Sequence, residues 1–233
     1  MSTVGNWRGP NIVKDGLVLY LDAGSPNSYI NGISGTSWKD ISGNSNNGTL
    51  VNGPTFDSGN GGSIVFDGSN DYATLGTFNG LGLTNRTIST WFRATTLPPS
   101  SGRILTFPAN DTSTDTPAYT ITLNSSGVLQ CGFGGSPYNG YNTSIPYTLN
   151  TWVNIVASIT DNTMISYKNS VSLGSVTNTG TVSANPIGYL GRYNGNYGQY
   201  VTGNISLIQL YNRALSASEI LQNYNATKTR FGL

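Results

Sequence analysis

Residues 203–224 constrain the fold more tightly than any other stretch of this 233-residue chain. Gly203 opens the run Asn204-Ile205-Ser206-Leu207-Ile208-Gln209-Leu210-Tyr211, whose apolar content reads as a strand. Asn212-Arg213-Ala214-Leu215 leads out of it, and Ser216 and Glu219 follow in the S-x-x-E spacing of a capping box. In that motif each side chain satisfies a backbone N–H left free at a helix start. Leu215 and Ile220 occupy the two positions of a hydrophobic staple, and Ile220, Leu221 and Tyr224 continue one apolar helical face. The phase of the strand is irregular. Ile205 and Leu207 alternate on one face while Ile208 and Leu210 take the other, so either both faces are buried or a bulge shifts the register.

Strand-like runs recur upstream at 16–22, 63–67, 72–75, 87–93, 103–107, 118–123, 128–133, 153–159, 164–168, 171–176 and 187–190. Glycine and asparagine turns link most of them, which predicts about a dozen short strands. Charged residues make up only 9% of the chain, against roughly 25% in an average soluble domain. Polar turns between apolar strands account for that composition better than surface helices do. Residues 23–62 read as loop, pinned to the core by Trp38 and Ile41, and residues 1–15 read as a polar arm carrying Trp7 and Arg8. No repeat or linker divides residues 16–233, so they form one domain.

Four motifs stand in order along that domain. They are Trp38-Lys39-Asp40-Ile41-Ser42-Gly43-Asn44 with Asn46-Asn47-Gly48-Thr49-Leu50; Phe66-Asp67-Gly68-Ser69-Asn70-Asp71-Tyr72; Thr87-Ile88-Ser89-Thr90-Trp91-Phe92-Arg93; and Trp152 to Ile159. With the closing strand, turn and serine-capped helix, they resemble the laminin-G-like modules of the concanavalin A-like lectin/glucanase superfamily, of the type encoded by phages and bacteria. The resemblance implies an all-β fold: a two-sheet antiparallel jelly-roll sandwich with one short C-terminal helix, its last strand central. Lys168-Asn169-Ser170 departs from the family pattern, which commonly has glycine after the asparagine.

Histidine is absent, which removes Ser-His-Asp triads, Cys-His pairs and imidazole zinc sites together. Of ten acidic residues only Glu219 is a glutamate, and it already serves the helix cap. The strand-borne E-x-D-x-x-E motif of related glycosidases is therefore missing, and the chain reads as no enzyme, with no catalytic residue. Cys131, the single cysteine, alternates with Leu129 and Phe133 and reads as a buried core thiol. Asp67 and Asp71 flank the Gly68-Ser69-Asn70 turn and suit its N–H groups. The reading assigns no metal and no cofactor; the alternative is calcium, for which residues 110–115 offer oxygens at alternating positions. A formal net charge of +1 gives no electrostatic footprint for nucleic acid or an anionic membrane. Residues 1–10 contain no apolar core of a signal peptide, and no stretch has the length of a membrane span.

The candidate binding surface is tyrosine-rich. Tyr138, Tyr141 and Asn142 lie in one segment, and Arg192, Tyr193, Asn194 and Tyr197 in another. Tyrosine beside glycine, asparagine and serine is the composition of adaptable binding loops, and glycine neighbours predict rings open to a partner. Absence of a secretion signal, adhesive loops and the phage-type resemblance together imply a non-catalytic virion protein, a capsid decoration or tail-fibre module with a glycan- or host-surface-binding role. Its location would be the particle surface, its partners other virion or surface proteins through Trp7 and Arg8, glycans, or further copies of itself. The first alternative is a carbohydrate-binding lectin module; a glycoside hydrolase is the second.

Overall fold

The computed structural model describes residues 11–77, 85–108, 117–133, 141–177, 187–193 and 199–233. In chain order its strands are β1 (Leu17–Asp22), β2 (Ser37–Trp38), β3 (Gly48–Val51), β4 (Thr55–Asp57), β5 (Ser63–Asp67) and β6 (Tyr72–Thr77). There follow β7 (Asn85–Ala94), β8 (Ser101–Pro108), β9 (Pro117–Asn124), β10 (Val128–Phe133) and β11 (Tyr141–Pro146). The last five are β12 (Val153–Thr160), β13 (Thr163–Lys168), β14 (Val171–Thr177), β15 (Ile187–Leu190) and β16 (Thr202–Tyr211). The helix α1 (Ala217–Thr227) and a 3-10 turn, Lys228–Phe231, end the chain.

These strands form two antiparallel sheets, a sandwich of the predicted class. One runs β14-β13-β12-β7-β16-β5-β4, with β1 also on β16; the other runs β11-β10-β9-β8-β15-β6-β3-β2. Residues 23–62, expected to be loop, contribute β2, β3 and β4. These strands are two to four residues long, too short for an alternating pattern to show in the sequence.

Strand β16 is central, as its apolar content demanded. β7 pairs it along one side, from Gly203 to Tyr211. On the other side β5 pairs Thr202–Ile205, and β1 pairs Leu207–Tyr211 end to end with it. The register on β7 slips between Ile205 and Leu207, leaving Ser206 as a bulge. That bulge settles the irregular phase. Ile205, Ile208 and Leu210 all face the core between the sheets, while Leu207 and Tyr211 face outward, and all five are buried. Both alternatives read from the sequence therefore hold at once. Between the sheets, Leu19, Leu21, Ile64, Phe66, Ile88 and Phe92 pack with Leu75, Tyr119, Ile121, Leu129 and Cys131. The Cys131 thiol is fully buried, and burial pushes its pKa up to about 11.

A third layer covers the outer face of the first sheet. Ser216 caps α1 as expected: its Oγ accepts from Glu219 N at 3.3 Å, and Glu219 Oε2 accepts from Ser216 N at 2.9 Å. Leu215 and Ile220 join Val156, Tyr167 and Tyr211 in one apolar cluster. Trp91 stacks on Phe231 at 4.1 Å and on Tyr224 at 5.7 Å, and donates to Thr227 Oγ1 at 2.9 Å. The described part of the expected arm belongs to this layer too. Val13 is buried, its N donates to Asn223 Oδ1 at 2.8 Å and its O accepts from Tyr211 Oη at 3.0 Å. Residues 11–15, the described part of the polar arm, are thus docked on the chain's own helix; Trp7 and Arg8 lie outside the described residues.

Candidate functional site

The outer face of the second sheet is built from strand alternation. In β6, Ala73 and Leu75 point into the core, so Tyr72 and Thr74 point out. In β9, Tyr119, Ile121 and Leu123 point in, so Thr120 and Thr122 point out. Cross-strand pairing lines these residues up in one row: Thr49 opposite Thr74, Thr74 opposite Tyr189, Tyr189 opposite Thr106, Thr106 opposite Thr120, and Thr120 opposite Gly132. The backbone row ends at Tyr141, paired with Gly132. Hydroxyls and one aromatic ring therefore run across five neighbouring strands, β3, β6, β15, β8 and β9.

The described residues that follow β15, Gly191 to Tyr193, lie against this row. Gly191 makes the turn with φ +83°, and a Cβ there would meet Phe66 Cδ1 at 2.7 Å, so only glycine fits. Gly191 N donates to Ile104 O at 3.0 Å, Val201 N to Gly191 O at 3.0 Å, and Arg103 N to Gln199 O at 3.0 Å. Both ends of the excursion are thereby tied to β8. Its described residues cover the β8–β9 half of the face. Arg103 donates to Gln199 Oε1 at 2.9 Å and to Thr122 Oγ1 at 2.7 Å, with its guanidinium 4.9 Å from the Tyr193 ring centre. Thr106, Thr120 and Thr122 lie buried beneath. The β3–β6 half differs: Thr49 is exposed, Tyr72 and Thr74 are half-buried, and Arg192 lies over the Tyr72 ring. The Arg192 guanidinium sits 4.3 Å from the Tyr72 ring centre and 4.6 Å from that of Tyr189, and these two rings meet edge to face at 6.3 Å.

The sequence-predicted residues divide accordingly. Arg192 is on this face and half-exposed. Tyr193 is only 6% exposed, which corrects the expectation that its glycine-rich surroundings leave the ring open. Arg103, on β8 and 90 positions away in sequence, supplies a contact that local composition does not reveal. Tyr141 and Asn142 open β11, with Asn142 paired to Cys131 in the register. Tyr138, Asn194 and Tyr197 lie outside the described residues. Sequence reasoning missed Tyr72, Thr74, Tyr189 and the β9 threonines. The β9 alternation carried a signal for the threonines, since the partners of a core-facing Tyr119-x-Ile121-x-Leu123 must face out.

The acidic turn is used internally. Asp67 Oδ1 accepts from Ser69 N at 2.8 Å, Asn70 N at 3.2 Å and Asp71 N at 3.3 Å, and these N–H groups, Ser69 first, hold its pKa down. Asp71 Oδ2 accepts from Asp67 N at 3.1 Å, and burial raises its pKa. The turn thus spends both carboxylates on its own backbone. Residues 110–115, the other oxygen-rich segment, lie outside the described residues. Among the described residues no three His, Cys, Asp or Glu side chains cluster as metal ligands would. Glu219 forms a bidentate pair with Arg213, at 2.6 and 3.1 Å, which holds its pKa at about 2.

Several solved structures share this fold. Trypanosoma rangeli sialidase in complex with 2,3-difluoro-KDN matches with a TM-score of 0.73 and 17% identity, over 92% of this chain and 33% of that one. The chain thus spans about a third of the sialidase. Domain 4 of AbnA, a GH43 extracellular arabinanase from Geobacillus stearothermophilus solved with arabinotriose, matches at 0.68 and 18%, over 89% of this chain and 98% of that one. The binding domain of Paraclostridial Mosquitocidal Protein 1 matches at 0.68 and 18%, over 91% and 52%. No curated protein matches the sequence. Residues 67–221, about two thirds of the chain, match the laminin G model described as the concanavalin A-like lectin/glucanases superfamily, and the chain belongs to that family.

Proposed function

We propose that this protein is a non-catalytic carbohydrate-binding module whose ligand lies on the outer face of the second sheet. The observation that carries the reading is the open β3–β6 half of that face, where the exposed Thr49 and the half-buried Thr74 and Tyr72 stand in line with Arg192 over the Tyr72 ring. Aromatic rings suit the apolar faces of sugar rings, and short hydroxyls suit their hydroxyl groups. The fold shared with arabinanase domain 4 along nearly its whole length, a domain solved with arabinotriose, supports the same reading. Glu219, engaged by Arg213 and Ser216, is in no position to serve as an acid or nucleophile, which favours binding over hydrolysis. A particle-surface structural role would need a docking element, and the described part of residues 1–15 is engaged with the chain's own helix.

The test is a glycan array followed by calorimetry on the best hit. Tyr72→Ala should weaken binding by more than about 1 kcal/mol, with melting nearly unchanged. Binding untouched by Tyr72→Ala and by Thr74→Ala would move the site off this face.

A further inference from the structure

We infer that the ligand of this face carries a carboxylate, making the preferred partner an acidic glycan; the inference rests on the carbohydrate-binding reading above. It begins with the unequal situation of the arginines. Arg93 pairs with Asp57 at 3.2 Å, Arg213 with Asp15 and Glu219 at 2.8 and 2.6 Å, and Arg230 with Asp22 at 2.5 Å. Arg103 is held by Gln199, Thr120 and Thr122. Arg192 is different. Among the described residues its guanidinium has neither a carboxylate nor a hydrogen-bond acceptor; its Nε, like that of Arg93, is buried without a partner.

What Arg192 has instead is the two tyrosines, Tyr72 and Tyr189. A ring face attracts the positive charge of a guanidinium but accepts little from its in-plane N–H groups. The cation is therefore fixed in place while its outer edge keeps its donors. A guanidinium edge is a planar fork that matches a carboxylate with two parallel hydrogen bonds. The adjoining acids do not fill it. Asp67 is bound by the N–H groups of Ser69, Asn70 and Asp71, and Asp71 is bound by Asp67 N. A neutral sugar could occupy the same donors, yet it would leave the charge uncompensated in a half-buried site. With a formal net charge of only +1, the chain attracts anions weakly as a whole, so preference for an acidic sugar has to come from this local cation.

The experiment uses matched pairs differing only in the acid: oligogalacturonate against its methyl ester, and sialyllactose against lactose. Wild-type protein should bind the acidic member of one pair about tenfold more tightly, the size expected for a hydrogen-bonded charge pair. Arg192→Gln should remove that preference and keep a melting temperature within about 4 °C of the parent. Arg192→Lys, which keeps the charge without the fork, should restore only part of it. Equal affinity within every pair that binds, or an acidic preference that survives in Arg192→Gln, overturns the inference while the carbohydrate-binding reading stands. Failure of both pairs and of a broad glycan array overturns both. Binding of an acidic poly-glutamate peptide without any glycan also overturns both, in favour of a protein partner.

Discussion

The two sheets of this sandwich treat their outer faces in opposite ways. On the first sheet, Trp91, Val156, Tyr167, Leu207 and Tyr211 are buried beneath α1, the 3-10 turn and residues 11–15. Two of its outward polar groups are absorbed as well: Thr87 Oγ1 accepts from Leu215 N at 2.7 Å and donates to Arg213 O at 3.0 Å, and Ser158 Oγ donates to Leu215 O at 2.9 Å. Among the described residues the corresponding face of the second sheet is threonine, tyrosine and arginine. Apolar burial stabilises by area and needs no geometry, whereas cation–π contacts and side-chain hydrogen bonds are individually weak. A face held by weak, directional contacts can keep donors for a partner. The outer face of the first sheet has been turned into structure, while that of the second keeps part of its polar surface open.

The contrast breaks most directly at its apolar end. Removing residues 216–233 would uncover Trp91, Leu207 and Tyr211 at once and should abolish cooperative melting, since each large buried aromatic alone is worth roughly 3–5 kcal/mol. A truncated chain that still melts cooperatively near the parent temperature would show that the cover is dispensable and that the two faces are alike.

The next largest effect divides the second sheet itself. Tyr193→Ala should cost about 3 kcal/mol in denaturant melts, because the ring is buried under Arg103 and closes the β8–β9 half of the face. Tyr72→Ala, at the half-buried β6 end, should cost under about 1 kcal/mol. Equal costs would erase the boundary between a packed half and an open one.

How much of this was legible before the structure follows from the range of the interactions involved. The capping box, the staple and the alternating runs of β9 and β12 are local, so neighbouring residues announce them. The short strands exist only through their partners: β3 pairs with β6, β2 with β3 and β4 with β5. The role of Tyr193 was misread for the same reason. Its glycine-rich neighbourhood says that the backbone can bend, but the residue that covers the ring is Arg103, which comes from another strand. Arg192 was singled out for its polar company in the loop, while its two tyrosines come from β6 and β15. Nothing local in the sequence sets Tyr72 beside Tyr189. The docking of Val13 on Asn223 spans 210 positions and is equally silent in a local reading.

The smallest predicted effect tests whether charge, beyond apolar area, helps hold the cover on the first sheet. Glu219 bonds Arg213 through both carboxylate oxygens, and Arg213 also meets Asp15 at 2.8 Å, so the pair ties the helix start to the turn after β16 and to the docked N-terminal segment. The Arg213 guanidinium first, and the Ser216 N–H after it, bring the Glu219 pKa from 4.5 down to about 2. A carboxyl whose folded pKa is depressed contributes stability that is fully present above its unfolded value and is lost as pH falls through the folded one. Glu219→Gln keeps the capping-box geometry, because glutamine serves at that position, and removes only the charge. The variant should therefore melt slightly below the parent at neutral pH, by no more than about 1 kcal/mol for a partly exposed pair. That gap should begin to close below pH 4.5 and vanish near pH 2, the window set by the two values. At fixed neutral pH, raising salt should shrink it in the same direction. A gap that stays constant from pH 7 to pH 2 would assign the interaction to hydrogen-bond geometry alone and leave the cover held by apolar area.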